Sequence, residues 1–443
     1  MKPNIFFLTI DSLRSDKIFG KNKSSLTPNI DKLITNGISF PNTIVSSDTT
    51  DSSLGCLFTG TYPHQNNITF FQNHKKAKYF FEILKNNGYN IYSTLPKKSF
   101  FNTLSDFFNY NESYEIDPYV LLYQGTGKKI LQMLDSKKLT EPWIYYIHLM
   151  DLHPSGNKFA FPENFRSMDY GLNDYEKTLS GLDVWLGKIL ERLDLSSTIF
   201  ILTADHGDFI PESGKKIDDI DTFQKKLKPL KKILPLGEKF WETSLQTTKS
   251  TVKKIRTSQQ KQNMDELSLR TYFNRAEGHL FDEIVKVPLI LRIPEKNHSK
   301  FSQQISSLDI LPTIFELLEI NHGNLVGQSL LPLINNLEWN EKPVYMESSS
   351  KNSKKKGLTL GIRNSKFKYI RLRSEKNTNP ILYDLINDPN ESKNIALDNP
   401  EIIEQMEKLL QNFIDNLKID DSILLSDEQS KEIEDELKKL GYI

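Results

Sequence analysis

The residues best equipped for chemistry stand at three separated points of the chain. A hydroxyl-rich stretch, Ser46-Ser47-Asp48-Thr49-Thr50-Asp51-Ser52-Ser53, runs into the small, apolar segment Leu54 to Phe58 and closes at Thr59-Gly60. The pattern predicts a polar loop feeding a short helix that a glycine stops, with Thr50 at the helix N-terminus. Free backbone N–H groups and the positive dipole end there favour an anionic ester and a developing negative charge on a hydroxyl oxygen. The plainer reading of Thr50 is an ordinary N-cap. Asp11 follows one apolar run, and Asp205-His206 follow another. One hydroxyl, two carboxylates and one imidazole make an oxygen-rich donor set that suits Mn²⁺, Mg²⁺, Ca²⁺ or Zn²⁺, as one ion or two, and does not choose among them. A divalent cation touching the Thr50 oxygen would lower its pKa, which a threonine at neutral pH needs if it is to attack an ester.

These residues need elements that deliver them to one place. Ile5 to Ile10, Trp143 to Leu149 and Thr198 to Leu202 are near-continuous apolar runs of strand length, as expected of parallel strands covered on both faces. Asp11, the segment Met150-Asp151-Leu152-His153-Pro154, and Asp205-His206 follow their carboxyl ends, where open α/β sheets bind ligands. Helical periodicity over Tyr79 to Asn87 and Tyr175 to Leu193 supplies the alternation of an α/β fold. Four of the eight histidines, His148, His153, His206 and His279, fall in or beside these strand-end motifs. His148 lies within a strand and reads as a core or supporting residue, and His64 as a helix-end histidine. Asp151 is a further metal candidate or a loop cap. Lys97 and Lys98 follow the Tyr89 to Thr94 strand and read first as a solvated turn, with contact to a substrate anion as the alternative.

A chain of 443 residues predicts one large domain and a smaller one. Residues 1–335 are expected to form the catalytic part, with 211–275 as a lysine-rich helical insertion serving as a lid, a partner surface or a solvated hairpin. Residues 336–443 are expected to form a small antiparallel sheet with one long helix, then an acidic and helical tail, Asp420 to Ile443, that docks or pairs with another subunit. The balance of 57 basic against 57 acidic residues carries no nucleic-acid signature. A single cysteine, Cys56, excludes an intrachain disulfide and fits a reducing compartment. With no cleavage site behind the first apolar run and no apolar stretch of membrane length, a cytoplasmic protein without a transmembrane segment is expected.

The chain resembles the sulfatase and alkaline phosphatase superfamily. The resemblance is carried by Asp11-Ser12-Leu13-Arg14, Thr27-Pro28-Asn29-Ile30-Asp31, Thr59-Gly60-Thr61-Tyr62-Pro63-His64 and His148 to Pro154. It continues in Asp205-His206-Gly207, Gly278-His279-Leu280-Phe281-Asp282-Glu283, Asp309-Ile310-Leu311-Pro312-Thr313 and Leu382-Tyr383-Asp384-Leu385. It implies an alkaline-phosphatase-like, mainly parallel sheet flanked by helices. It also implies that Asp11, Asp205, His206 and the nucleophile bind the metal, while His153 and His279 face the ester oxygens or a second metal.

The nucleophile position, counted back from Thr59-Gly60, falls on Thr50. An ordinary sulfatase opens a C/S-x-P-x-R motif there and converts its first residue to formylglycine, whereas this chain reads Thr50-Asp51-Ser52-Ser53-Leu54. Threonine is the nucleophile of the family's phosphoglycerol and phosphoethanolamine transferases and of nucleotide pyrophosphatase-like phosphodiesterases. The resemblance therefore implies a metal-dependent phosphodiesterase, phosphomonoesterase or phosphotransferase acting on an anionic ester, glycan- or lipid-linked. The alternatives are a sulfuric ester hydrolase that works without formylglycine and an inactive binding protein of the same fold.

Overall fold

Side chains that are apolar on both faces of a strand must be covered on both sides, and the chain meets this demand with one wide sheet between helices. The computed structural model describes residues 2–68, 76–77, 79–105, 107–115, 121–136, 138–153, 159–210, 270, 278–348, 358–373 and 379–416. The wide sheet contains β1 (Asn4–Ile10), β2 (Ile38–Ile44), β3 (Asn90–Pro96), β4 (Tyr110–Tyr114), β5 (Trp143–Leu149), β6 (Thr198–Thr203), β7 (Lys286–Arg292), β8 (Ser299–Lys300) and β9 (Ile305–Ser306). Its order is β4-β3-β5-β1-β6-β7-β2-β8, with β9 added to β2. From β4 to β6 every pairing is parallel, while β7 runs antiparallel to both β6 and β2.

Every residue of β1, β5 and β6 is buried, as their apolar runs require. Thr9 of β1 lies opposite His148 of β5 and Thr203 of β6. The three strands therefore end side by side, and the loops after them leave the sheet at one edge. β2 was not among the strands expected from sequence. Its Pro41 removes a ladder donor, and the pairing with β7 slips between Phe40 and Thr43 around it.

The helix Thr50–Thr59 is buried along its whole length. Leu54, Leu57 and Phe58 join Phe7, Phe80, Phe81 and Tyr146 in the core. The Phe58 ring stands 5.1 Å from Tyr146, edge to face, and 5.0 Å from Phe81. Each such aromatic contributes about 1.5–3 kcal/mol by burial, so the helix that carries Thr50 is held rigidly against the sheet. Gly60 ends it with φ +66°, and its N–H reaches the Cys56 carbonyl at 2.8 Å.

The second sheet is an antiparallel meander of β10 (Val344–Glu347), β11 (Thr359–Arg363), β12 (Phe367–Leu372) and β13 (Ile381–Asp384). The helix Pro400–Asn416 packs on it, burying Met406 and Leu410 beside Tyr345, Ile362 and Tyr369. Several polar contacts tie this sheet to the first part of the chain. The Glu347 N–H donates to the Ser46 carbonyl at 3.0 Å, and the buried Lys368 ammonium pairs with Asp282 and Glu391, each at 2.5 Å. The chain divides into two compact units, Met1–Phe209 with Asn274–Ile443, and Ile210–Phe273. Of the second unit, Ile210 and Arg270 are described. Apart from Arg270, the expected helical insertion over 211–275 lies outside the described residues, as does the Asp420 to Ile443 tail. Among the described residues no helix is long and apolar enough to cross a membrane.

Candidate active site

Asp11 leaves β1 fully buried, and the next residue turns sharply. Ser12 has φ 62°, a left-handed conformation uncommon for a residue with a side chain. The turn sends the Ser12 N–H to Asp205 Oδ1 at 3.2 Å and its hydroxyl to Asp11 Oδ1 at 2.7 Å. Asp205 Oδ1 also accepts the His206 N–H at 2.9 Å. Gly207 follows where space is exhausted, because a Cβ there would stand 2.0 Å from the Glu283 carbonyl oxygen. Its own N–H donates to the Ile284 carbonyl at 2.7 Å, which docks the segment after His279 onto the segment after β6.

Thr50 meets this cluster from the helix side. Its Oγ1 lies 3.2 Å from Asp11 Oδ2 and 3.3 Å from His206 Nε2. His206 Nδ1 lies 2.9 Å from the Gly207 carbonyl oxygen, which makes Nδ1 an N–H donor, and Nε2 faces the threonine hydroxyl. Ser53, one turn along the helix, donates to the Asp205 carbonyl at 2.5 Å. The helix and the strand-end loop are thus fastened at two points.

The histidines divide. His148 is buried at the end of β5, with Nε2 3.5 Å from Asp11 Oδ2, long for a hydrogen bond. Burial pushes its imidazole pKa down, and the contact with Asp11 only partly offsets this. His153 is buried beside the cluster, close enough for its charge to act on Asp11. Burial alone would raise the Asp11 carboxyl; His153, His148, His206 and Lys98 together draw it well below the usual carboxylate range. His279 stands against Phe209 and Phe281, with ring centroids 5.8 and 5.9 Å away. Asp151 accepts the Leu122 N–H at 3.1 Å, and burial pushes its pKa up to about 7. His64 lies away from these, its Nδ1 3.3 Å from Glu347 Oε2.

Asp11, His148 and Asp205 each present a ligand atom, and these atoms lie within 4.8 Å of one another in full burial. Buried oxygen and imidazole donors at that spacing fit a divalent cation. Thr50 Oγ1 lies against Asp11 and His206, and His206 Nε2 lies 3.4 Å from Asp205 Oδ2, so Thr50 and His206 adjoin this group, which holds His148 in addition to the two aspartates expected from sequence. One participant was ranked too low from sequence and another, Ser12, escaped it. Lys98 is no solvated turn residue: it is half-buried and its charge reaches both Asp11 and His148, whereas Lys97 is exposed and pairs with Glu115. The position of Lys98, directly after a strand of the parallel sheet, was the available signal. Ser12 gave none, since nothing in its type announces a left-handed turn.

Comparison with known proteins agrees with this architecture. The sulfatase family model matches residues 3–320, and the model of the C-terminal part of N-sulphoglucosamine sulphohydrolase matches residues 271–418. Arylsulfatase K of dog is 29% identical over 152 residues, a stretch covering 32% of this chain and 28% of the dog protein. Human arylsulfatase K is 30% identical over 152 residues, again covering 32% and 28%. The chain thus aligns with under a third of the length of these relatives. Among solved structures, one in complex with its substrate D-glucosamine-2-N,6-O-disulfate superposes with TM-score 0.64 at 16% identity over 95% of this chain and 99% of that one. The phosphonate monoester hydrolase of Agrobacterium radiobacter superposes with TM-score 0.62 at 15% identity over 97% and 99%. Likeness at such identity speaks for the fold, and the family model over most of the chain speaks for descent: the chain belongs to the sulfatase family, within the sulfatase and alkaline phosphatase superfamily of hydrolases.

Proposed function

We propose that this protein is a metal-dependent hydrolase or phosphotransferase of phosphate mono- or diesters, with Thr50 as its nucleophile. The reading rests on Thr50 Oγ1, which stands 3.2 Å from Asp11 Oδ2 and 3.3 Å from His206 Nε2 where a formylglycine enzyme needs a modifiable Cys or Ser. Asp11, Asp205, His206 and Thr50 would hold the cation, which when bound offsets charge on the transferring group and eases deprotonation of the hydroxyl. Thr50 Oγ1 gives up its proton to solvent and attacks phosphorus in line. The Oγ1–P bond forms as the bond to the departing alkoxide breaks, and His153 or His279 supplies the proton that alkoxide needs. Water or an acceptor alcohol then cleaves the phosphothreonine and restores the hydroxyl. Lys98 adds positive charge for an anionic ester. Residues 1–335 carry this chemistry, and 336–443 form a small supporting subdomain.

Sulfuric ester hydrolysis is the second reading, favoured by the arylsulfatase relatives and the N-sulphoglucosamine sulphohydrolase match. An unmodified threonine cannot expel sulfate by elimination from a hydrated aldehyde, so that reading requires direct attack on sulfur. The test is turnover by the full chain, with Mn²⁺ or Zn²⁺ supplied, of p-nitrophenyl phosphate, bis(p-nitrophenyl) phosphate and p-nitrophenyl sulfate. Phosphate turnover should exceed sulfate turnover. Faster sulfate cleavage with Thr50 unmodified by mass spectrometry moves the assignment to the second reading. Metal uptake without turnover of these or of glycan-linked esters leaves a binding protein.

A further inference from the structure

Ser12 touches both carboxylates of the candidate site, and it does so from a strained conformation. With φ 62° its N–H faces Asp205 Oδ1 and its hydroxyl faces Asp11 Oδ1. Such a conformation persists only where surrounding structure imposes it. Against the turn stands Tyr175, buried in the first turn of the helix Asp174–Leu190. Its hydroxyl donates to the Ser12 carbonyl at 2.9 Å and accepts the Arg14 N–H at 3.0 Å, spanning the turn on both sides. Arg14 extends the same brace. Its guanidinium forks onto Asp16 at 2.8 and 2.9 Å and donates to the Asp208 carbonyl at 3.3 Å, so the loop after β1 is tied to the loop after β6.

We propose that Tyr175 is a positioning residue for the divalent-cation site, acting by pinning Ser12 in the left-handed turn that orients Asp11 and Asp205. The proposal rests on the metal-dependent reading of the site. Ser12 occupies Asp11 Oδ1 and shares Asp205 Oδ1, leaving Asp11 Oδ2 turned toward Thr50 and His148. Partners that orient a metal's ligands typically govern its affinity by about 10–100-fold. The brace therefore sets affinity from a helix that contributes no ligand.

The test is calorimetric titration of the chelator-stripped full chain with MnCl₂, alongside melting of the metal-free protein. Tyr175→Phe keeps the ring and removes only the hydroxyl. It should weaken the Mn²⁺ Kd by about tenfold or more. A purely structural role would lower the metal-free melting temperature and leave the Kd of the folded protein unchanged, and that result overturns the proposal. Should Tyr175→Phe fail to fold, Ser12→Ala carries the same test, since it removes the hydroxyl on Asp11 while Tyr175 keeps both its partners; an unchanged Kd there is equally fatal. A wild-type chain that takes up neither Mn²⁺ nor Zn²⁺ overturns the metal reading itself, and this inference with it. Wild-type binding with unaltered variants overturns the inference alone.

Discussion

A threonine hydroxyl is a weak nucleophile at neutral pH, so its neighbours decide whether Thr50 reacts. They include a carboxylate held well below its usual pKa and an imidazole whose Nε2 faces Oγ1. On whichever ester the wild type cleaves, Thr50→Ala should lower kcat by about three orders of magnitude or more, because the attacking atom is gone. Thr50→Ser should keep a measurable part of the activity, since the hydroxyl survives. Both variants should melt as the wild type does in the absence of metal. A Thr50→Ala protein with near-normal kcat ends the role assigned to this residue. At this scale the sequence was informative where type alone implies chemistry, as with Thr50, Asp11 and Asp205-His206. It was silent where conformation decides, as with Ser12, and where a plain environment hides a role, as with Tyr175.

Elements were legible in proportion to how far burial alone dictates them. β1, β5 and β6 are apolar on both faces and could be read nearly residue by residue, and their register explains why Asp11, His148 and Asp205 come together. The direction of β7 was not legible, because strand polarity depends on connections made elsewhere in the chain. The helix Ile310–Leu317 illustrates what its flanks cost. Asp309, just before it, accepts the Ser306 and Gln328 N–H groups at 2.8 Å each, yet burial outweighs them and pushes its pKa from 3.8 up to about 6. Between those two values the folded state holds a proton that the unfolded state has lost, so stability falls as pH rises through that window. Asp309→Asn carries no such proton. The difference in melting temperature, variant minus wild type, should therefore move in the variant's favour between about pH 4 and about pH 7. A difference that stays flat with pH rules out this assignment for Asp309.

At the scale of the molecule, the candidate ligand set joins parts of the chain that are far apart in sequence. Asp11 follows β1, Thr50 begins a helix buried against the sheet, His148 is the penultimate residue of β5, and Asp205-His206 follow β6. An unfolded chain holds these groups at random separations and cannot offer the three buried ligand atoms that the fold gathers within 4.8 Å. A cation that binds only the folded state stabilises it by about 2.7 kcal/mol at a concentration 100-fold above Kd. Removing it should also release the repulsion between Asp11 and Asp205, two buried carboxylates that the cation would otherwise separate. Chelation of the purified full chain should therefore lower its melting temperature by a few degrees, and resupplied Mn²⁺ or Zn²⁺ should restore it in a concentration-dependent way. Mg²⁺ and Ca²⁺, which favour all-oxygen shells, should restore it less if His206 and His148 take part. Elemental analysis of the untreated protein provides the independent check. A chain that carries no metal as purified and melts at one temperature with chelator, Mn²⁺ or Zn²⁺ has a buried acid and histidine cluster that serves something other than a cation.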